Sequence, residues 1–168
     1  MVKNVKLENE LYEPMKNWLQ EYLEDKYRSC QIITQDTSEI DLDVALQHYN
    51  LNCQFPKAVG LHIQIDILGI IIGSTSTKLA FIEAKKNQLT THNLGQLLVY
   101  CRLMDPAEAF LMSSLSMGSL DKILVNLNRK DILKYGKNNE KSIHVSTWNV
   151  LGKHPDMGIM VPSLYQGL

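Results

Sequence analysis

A carboxylate inside a run of isoleucines sets the tightest limit on how this chain can fold. Residues 61–72 read LHIQIDILGIII, with Asp66 in the middle. Strand alternation puts Leu61, Ile63, Ile65 and Ile67 on one face, and His62, Gln64, Asp66 and Leu68 on the other. Gly73-Ser74-Thr75-Ser76-Thr77 is a turn by composition. Residues 78–85 then read as a return strand, so the two runs predict a hairpin. In the return strand Leu79, Phe81, Glu83 and Lys85 share one face, and Ala80, Ile82 and Ala84 the other. A carboxylate in such an apolar setting is costly unless its charge is compensated. The hairpin brings Asp66 to the face of Glu83 and Lys85.

The other elements follow from periodicity. Leu11, Met15, Trp18, Leu19, Tyr22 and Leu23 recur at spacings of three and four, which predicts a helix over 11–27. Pro14 suits its first turn, so the helix begins near Glu13. A short strand is expected at 31–34, a short helix at 44–50 and a loop at 50–60. Asp36, Glu39, Asp41 and Asp43 form an acidic stretch between the first two of these. Further on, helices are expected at 94–104, where Asp105-Pro106 ends the first, and at 120–127. Strands are expected at 109–112 and 142–147. The tail, 148–168, reads as loop with one strand around 159–161. This order predicts a single α/β domain over 1–168, with a central mixed sheet flanked by helices. Its core covers about 8–147, and the tail has no assigned role.

Composition narrows the function only coarsely. The 168 residues hold 17 Lys and Arg against 18 Asp and Glu, a net charge of −1. That balance excludes a protein that coats polyanions indiscriminately, but not an enzyme with a local basic surface. No apolar run is long enough to span a bilayer, and the polar first ten residues do not read as a signal peptide. Cys30, Cys53 and Cys101 have neither the number nor the spacing of a disulfide framework or zinc ribbon. They predict reduced core thiols and a cytoplasmic location. The five histidines lack metal-ligand spacing, and no nucleophile elbow or phosphate-binding glycine loop is present.

Asp66, Glu83 and Lys85 therefore carry the chemistry. Two strand-borne carboxylates beside one lysine suit Mg²⁺, which prefers carboxylate and carbonyl oxygens. The Ala84 carbonyl can add another oxygen. Lys85 can orient or deprotonate the attacking water and stabilise charge on a phosphate.

Ile65-Asp66 followed by Ile82-Glu83-Ala84-Lys85 resembles the D…E-x-K signature of the PD-(D/E)XK nuclease superfamily. Ile65 stands where that signature has proline. The stretch Asn93-Leu94-Gly95-Gln96-Leu97-Leu98-Val99-Tyr100 is similar to the helix that follows the E-x-K strand in that superfamily. The resemblance gives Gln96 the place of a site glutamine, with Tyr100 one turn later. Residues 8–19 are similar to the first helix, where an acid often completes the site. Glu10 is the expected acid, with Glu13 second. The resemblance covers about residues 8–113.

It implies a restriction-endonuclease-like core and hydrolysis of phosphodiester bonds in nucleic acid, with DNA favoured. Mg²⁺ would be the cofactor, with Mn²⁺ substituting. Asp66, Glu83, Ala84 and Glu10 would hold the metal, with Lys85 and Gln96 completing the catalytic set. An endonuclease is implied over an exonuclease, and a homodimer would match the two-fold symmetry of duplex DNA. The alternative is a non-catalytic nucleic-acid-binding or assembly module on the same fold. Charge adds to the DNA reading. Residues 121–141 carry Lys122, Arg129, Lys130, Lys134, Lys137 and Lys141 against Asp121, Asp131 and Glu140. Lys85, Lys86 and Arg102 are expected near the site, so phosphates should follow this basic side.

Overall fold

In a computed structural model, residues 5–164 are described. A 3₁₀ turn, Glu8–Leu11, leads into α1 (Tyr12–Lys26). Then come β1 (Gln31–Asp36), α2 (Leu42–His48), β2 (Ile67–Ile72), β3 (Thr77–Lys85), α3 (Thr91–Met104) and β4 (Glu108–Ser113). A short α4 (Ser119–Asp121) continues into a π-helical turn, Lys122–Asn126. The remaining strands are β5 (Lys134–Tyr135), β6 (Lys141–Ser142), β7 (His144–Asn149) and β8 (His154–Pro155).

Six strands form one mixed sheet in the order β1-β2-β3-β4-β7-β8. The β3–β4 and β4–β7 pairs are parallel, and the other pairs antiparallel. β5 and β6 make a separate ribbon. The architecture is α/β, as the element order predicts.

Helices cover both faces of this sheet. On one face Met15, Leu19 and Leu23 of α1 pack on Ile67, Ile71, Ala80, Ile82 and Phe110. On the other, Leu94, Leu97 and Cys101 of α3 and Leu42 and Leu46 of α2 pack on Leu68, Ile70, Leu79 and Phe81. Both β2 and β3 are buried on both faces, which is why they read as near-continuous apolar runs. Gly69 makes the contact with α1 close: a Cβ there would lie 2.8 Å from Leu23 Cδ1 and 3.1 Å from Ala80 Cβ. The far end of α1 is tied to β4 through buried Glu108, which accepts hydrogen bonds from Lys26 and from the hydroxyls of Tyr27 (2.8 Å) and Tyr22 (3.3 Å).

Several boundaries differ from the expected ones. The expected strand over 61–72 begins only at Ile67. Ile63 and Ile65 join the α3-side core, whereas Ile67 joins the α1 side, so alternation breaks at Asp66. The reason lies in β1. Thr37 N donates to Asp66 O (2.9 Å), the Thr37 hydroxyl donates to Ile65 O, and Leu42 N donates to Ile63 O (2.7 Å). Residues 63–66 thus follow the extension of β1 and part from β3.

α3 starts at Thr91, before its first apolar residue. Thr90 Oγ1 accepts from Asn93 N, and Thr90 N donates to Asn93 Oδ1 (3.0 Å), a reciprocal cap. The expected strand over 142–147 is split into β6 and β7 around Ile143, whose N–H goes to Leu133 O. The tail is more ordered than its composition implies. β8 pairs with β7, and Val161 exchanges two hydrogen bonds with Val145. Of the three thiols only Cys101 is core; Cys30 is half-buried and Cys53 exposed. Burial pushes the Cys101 thiol up, which agrees with a packing role. Among the described residues, no helix is long and apolar enough to cross a membrane.

Candidate active site

The parting of β2 from β3 creates the site. The last ladder pair is Ile67 with Ile82. One step beyond it, Asp66 lies close enough to Glu83 for its charge to act on that carboxyl. A further step would pair Ile65 with Ala84, but Ile65 O is taken by Thr37. Ala84 N therefore donates to Asp66 Oδ2 instead, at 2.8 Å. A residue's N–H and C=O point to the same edge of a strand, so the Ala84 carbonyl also points toward this opening.

β3 continues straight to Lys85, so Glu83 and Lys85 emerge on one face. Lys85 Nζ lies 3.1 Å from Glu83 Oε1 and 3.7 Å from Glu8 Oε1. Glu8 comes from the turn before α1, and its other oxygen accepts from Lys86 N at 3.2 Å. The Tyr12 hydroxyl donates to Asp66 from the first turn of α1. Three carboxylates thus surround one ammonium, in a partly buried setting.

The electrostatics follow from that imbalance. Burial pushes the Glu83 carboxyl up to about 7; the Asp66 charge adds to this and Lys85 opposes it. Burial likewise raises Asp66, against the Ala84 N–H and Lys85, which favour its charged form. For Lys85 burial opposes the charge, but Glu83, Glu8 and Asp66 together raise its pKa. It therefore stays an ammonium at neutral pH. Burial, with the charges of Asp66 and Glu8, keeps the Tyr12 phenol protonated.

Of the expected residues, Asp66, Glu83, Ala84 and Lys85 come together. Glu10 does not join them. Its carboxylate accepts from Leu7 N (3.0 Å), closing the 3₁₀ turn on itself. Glu13 is exposed and paired with Lys16 at 3.1 Å. Gln96 lies on the exposed side of α3, where its amide donates to the Tyr100 hydroxyl at 3.4 Å. Sequence reasoning missed Glu8 and Tyr12. Their spacing of four places both on one side of a helical segment, beside the Leu11–Met15 stripe, and that was the available signal. Arg102 does not stand near the cluster either. It sits in the last turn of α3, at the opposite end from Lys85, with Lys57 and Lys137 around a cavity of about 320 Å³.

A larger cleft, about 590 Å³, opens beside Tyr12 and is lined by Asn9, Gln35, Asp36, Ser38 and Glu39. It is acidic, so it repels phosphate. A smaller pocket is lined by Val5, Lys86, Asn87, Ser114 and Leu115.

The donor chemistry of Asp66, Glu83 and Glu8 suits a hard divalent cation. Three oxygen-bearing acids share one lysine, and burial has already raised two of them, which a second cation would relieve. Lys85 stands between Glu83 and Glu8 where such a charge would act. Among the described residues no group of three or more His, Cys, Asp or Glu side chains is arranged to hold a metal ion. Comparison with family models, with curated proteins and with solved structures returned no match.

Proposed function

We propose that this protein is a Mg²⁺-dependent phosphodiesterase that cleaves DNA, on a core of the restriction-endonuclease-like type. The observation that supports it best is the meeting of Asp66, Glu83 and Lys85 where β2 leaves β3. These are the residues by which the sequence resembles the PD-(D/E)XK nucleases. Asp66 and Glu83 would hold the ion, with Glu8 in the role first expected of Glu10 and the Ala84 carbonyl as a further oxygen. When bound, the ion supplies positive charge against the scissile phosphate and makes water a better nucleophile.

The chain's own groups do the rest. Lys85, held as an ammonium by its carboxylate neighbours, donates hydrogen bonds to the attacking water or to a phosphate oxygen. It does not serve as the base in this state, because its proton is held too tightly. Tyr12 fixes Asp66 by donating to it, and Ala84 N–H does the same from the other strand. Glu8 anchors the backbone after Lys85 through Lys86 N, which sets where the lysine can reach.

The test is cleavage of supercoiled plasmid and of branched DNA with Mg²⁺ or Mn²⁺. Wild type should cut, and Lys85→Ala should lose at least about a hundredfold in rate, the scale of one transition-state hydrogen-bond donor. Equal activity in the two would remove Lys85 from the mechanism. DNA binding with no cleavage by wild type favours the non-catalytic binding module.

A further inference from the structure

The basic cavity at the far end of α3 is built from three separated parts of the chain. Lys57 comes from the 3₁₀ turn Pro56–Ala58, Arg102 from α3, and Lys137 from the loop between β5 and β6. The acid on its wall, Asp105, is already paired with Lys141 at 2.8 Å. Among the described residues, Lys57, Arg102 and Lys137 form no ion pair of their own. The negative end of the helix dipole accounts for Arg102 and Lys141, which lie beside the last turn. It does not account for Lys57 and Lys137 converging from elsewhere. Like charges gathered round one concavity repel, and an anion removes that cost.

The surface between this cavity and the carboxylates points the same way. α3 reads THNLGQLLVYCRLM and contains no acid. Its exposed positions include His92, Gly95, Gln96, Val99 and Arg102, and a Cβ added at Gly95 would meet open space. A polyanion lying along α3 meets no carboxylate of the helix itself. α3 packs on the same sheet face as Glu83 and Lys85. From Thr91 to Arg102 the helix rises about 17 Å at 1.5 Å per residue. That equals roughly five steps of a DNA strand at 3.4 Å each.

We propose that the cavity formed by Lys57, Arg102 and Lys137 grips a backbone phosphate of nucleic acid, about five nucleotide steps from the carboxylate cluster, with the strand running along α3. The site takes a phosphodiester in a polymer rather than a free small anion, because the exposed side of α3, which has no acid of its own, ends at Arg102 in the cavity lining. The spacing to a scissile phosphate rests on the phosphodiesterase reading. The presence of the grip does not.

The experiment measures binding of a fluorescent 20-base-pair duplex by the full chain in EDTA, from 50 to 200 mM salt. Replacing Arg102 and Lys137 together by alanine should weaken binding about tenfold. It should also lower the slope of log K on log salt by about one, at roughly 0.9 for the one phosphate that is no longer neutralised. Lys153→Ala, on the loop between β7 and β8, should leave both unchanged, and Arg102→Lys should keep most of the binding. Circular dichroism of the double variant shows that the fold is retained. An unchanged slope in the double variant, or no duplex binding by wild type, overturns the proposal. So do shifts of the Gly136 and Asn139 amide signals with inorganic phosphate but none with duplex. Asp66→Asn separates the two ideas. If plasmid is never cut yet duplex binding depends on Arg102 and Lys137, the grip stands and the phosphodiesterase reading falls. If cutting depends on Asp66 while binding ignores Arg102 and Lys137, the grip falls alone.

Discussion

Asp66 accepts the backbone N–H of Ala84 at 2.8 Å, replacing the acceptor that β2 withdraws when it turns toward Thr37. The Asp66 carboxylate thus closes the end of the ladder while it also belongs to the candidate site. The double duty separates two substitutions. Asp66→Asn keeps an acceptor for Ala84 and should abolish cleavage with little loss of stability. Asp66→Ala leaves a buried N–H unsatisfied and should cost about 1–3 kcal/mol more than Asp66→Asn. Urea unfolding of both variants checks this, and equal stabilities would remove the structural role.

Stability should fall as pH rises through the range where Glu83 titrates. Its carboxyl is raised from 4.5 to about 7 in the fold. Between those values the folded state holds a proton that the unfolded state has lost, so unfolding becomes easier as pH increases. At about 1.4 kcal/mol per pH unit across that interval the fall is on the order of 3–4 kcal/mol. Asp66, shifted in the same direction, adds to it. Glu83→Gln should flatten the profile, which denaturant titrations at pH 4.5, 6 and 7.5 would reveal. A slope equal to that of wild type would show that Glu83 is ionised throughout.

Mg²⁺ or Mn²⁺ should raise the melting temperature of wild type measured in EDTA-treated protein. At a hundredfold excess over Kd the gain is about 2.7 kcal/mol. Glu83→Gln and Asp66→Asn should lose most of it. The ion should also flatten the pH profile, since it holds the carboxylates charged. Scanning calorimetry with and without metal makes both comparisons. An equal gain in Asp66→Asn would place the ion elsewhere.

Glu8→Gln should lower the cleavage rate far more than Glu10→Gln. Glu8 faces Lys85 and holds Lys86 N, whereas Glu10 holds only Leu7 N. The Glu10 change keeps an acceptor for Leu7 N and should leave stability within about 0.5 kcal/mol of wild type. Rates and unfolding curves on the two single variants suffice, and the reverse ranking would restore Glu10 to the site.

Gly69→Ala should destabilise the protein by about 1–3 kcal/mol through overpacking. The new methyl group meets Leu23 Cδ1 at 2.8 Å, Ala80 Cβ at 3.1 Å and Leu19 Cδ2 at 3.2 Å. Ala80 has no rotamer to give. A variant as stable as wild type would mean that α1 lifts from the sheet without cost.

The pairing of Glu83 with Lys85 was legible because strand alternation is local and β3 runs unbroken from Thr77 to Lys85. The helix over 11–27 was legible for the same reason, with a period of 3.6. Asp66 could be singled out as a carboxylate in an apolar run, but its geometry could not be read. That depends on Thr37, 28 residues away along the chain from Ile65, drawing residues 63–66 out of the ladder. Glu8 was missed because the chain enters α1 through a 3₁₀ turn, which rotates Glu10 back onto Leu7. Arg102 was misplaced because closeness to Gln96 in sequence says nothing of which end of a helix meets the strand terminus.

The order of the strands also bears on how the molecule is made. Neighbours in the six-stranded sheet follow their order along the chain, with only the β5–β6 ribbon set aside. Each strand, on leaving the ribosome, finds its partner already present. The sheet can grow by addition at one margin, and no segment must be threaded between two finished ones. Synthesis at about 5–20 residues per second is slow beside hairpin closure in microseconds. The β2–β3 hairpin, which carries Glu83 and Lys85, can therefore assemble before β7 has been translated.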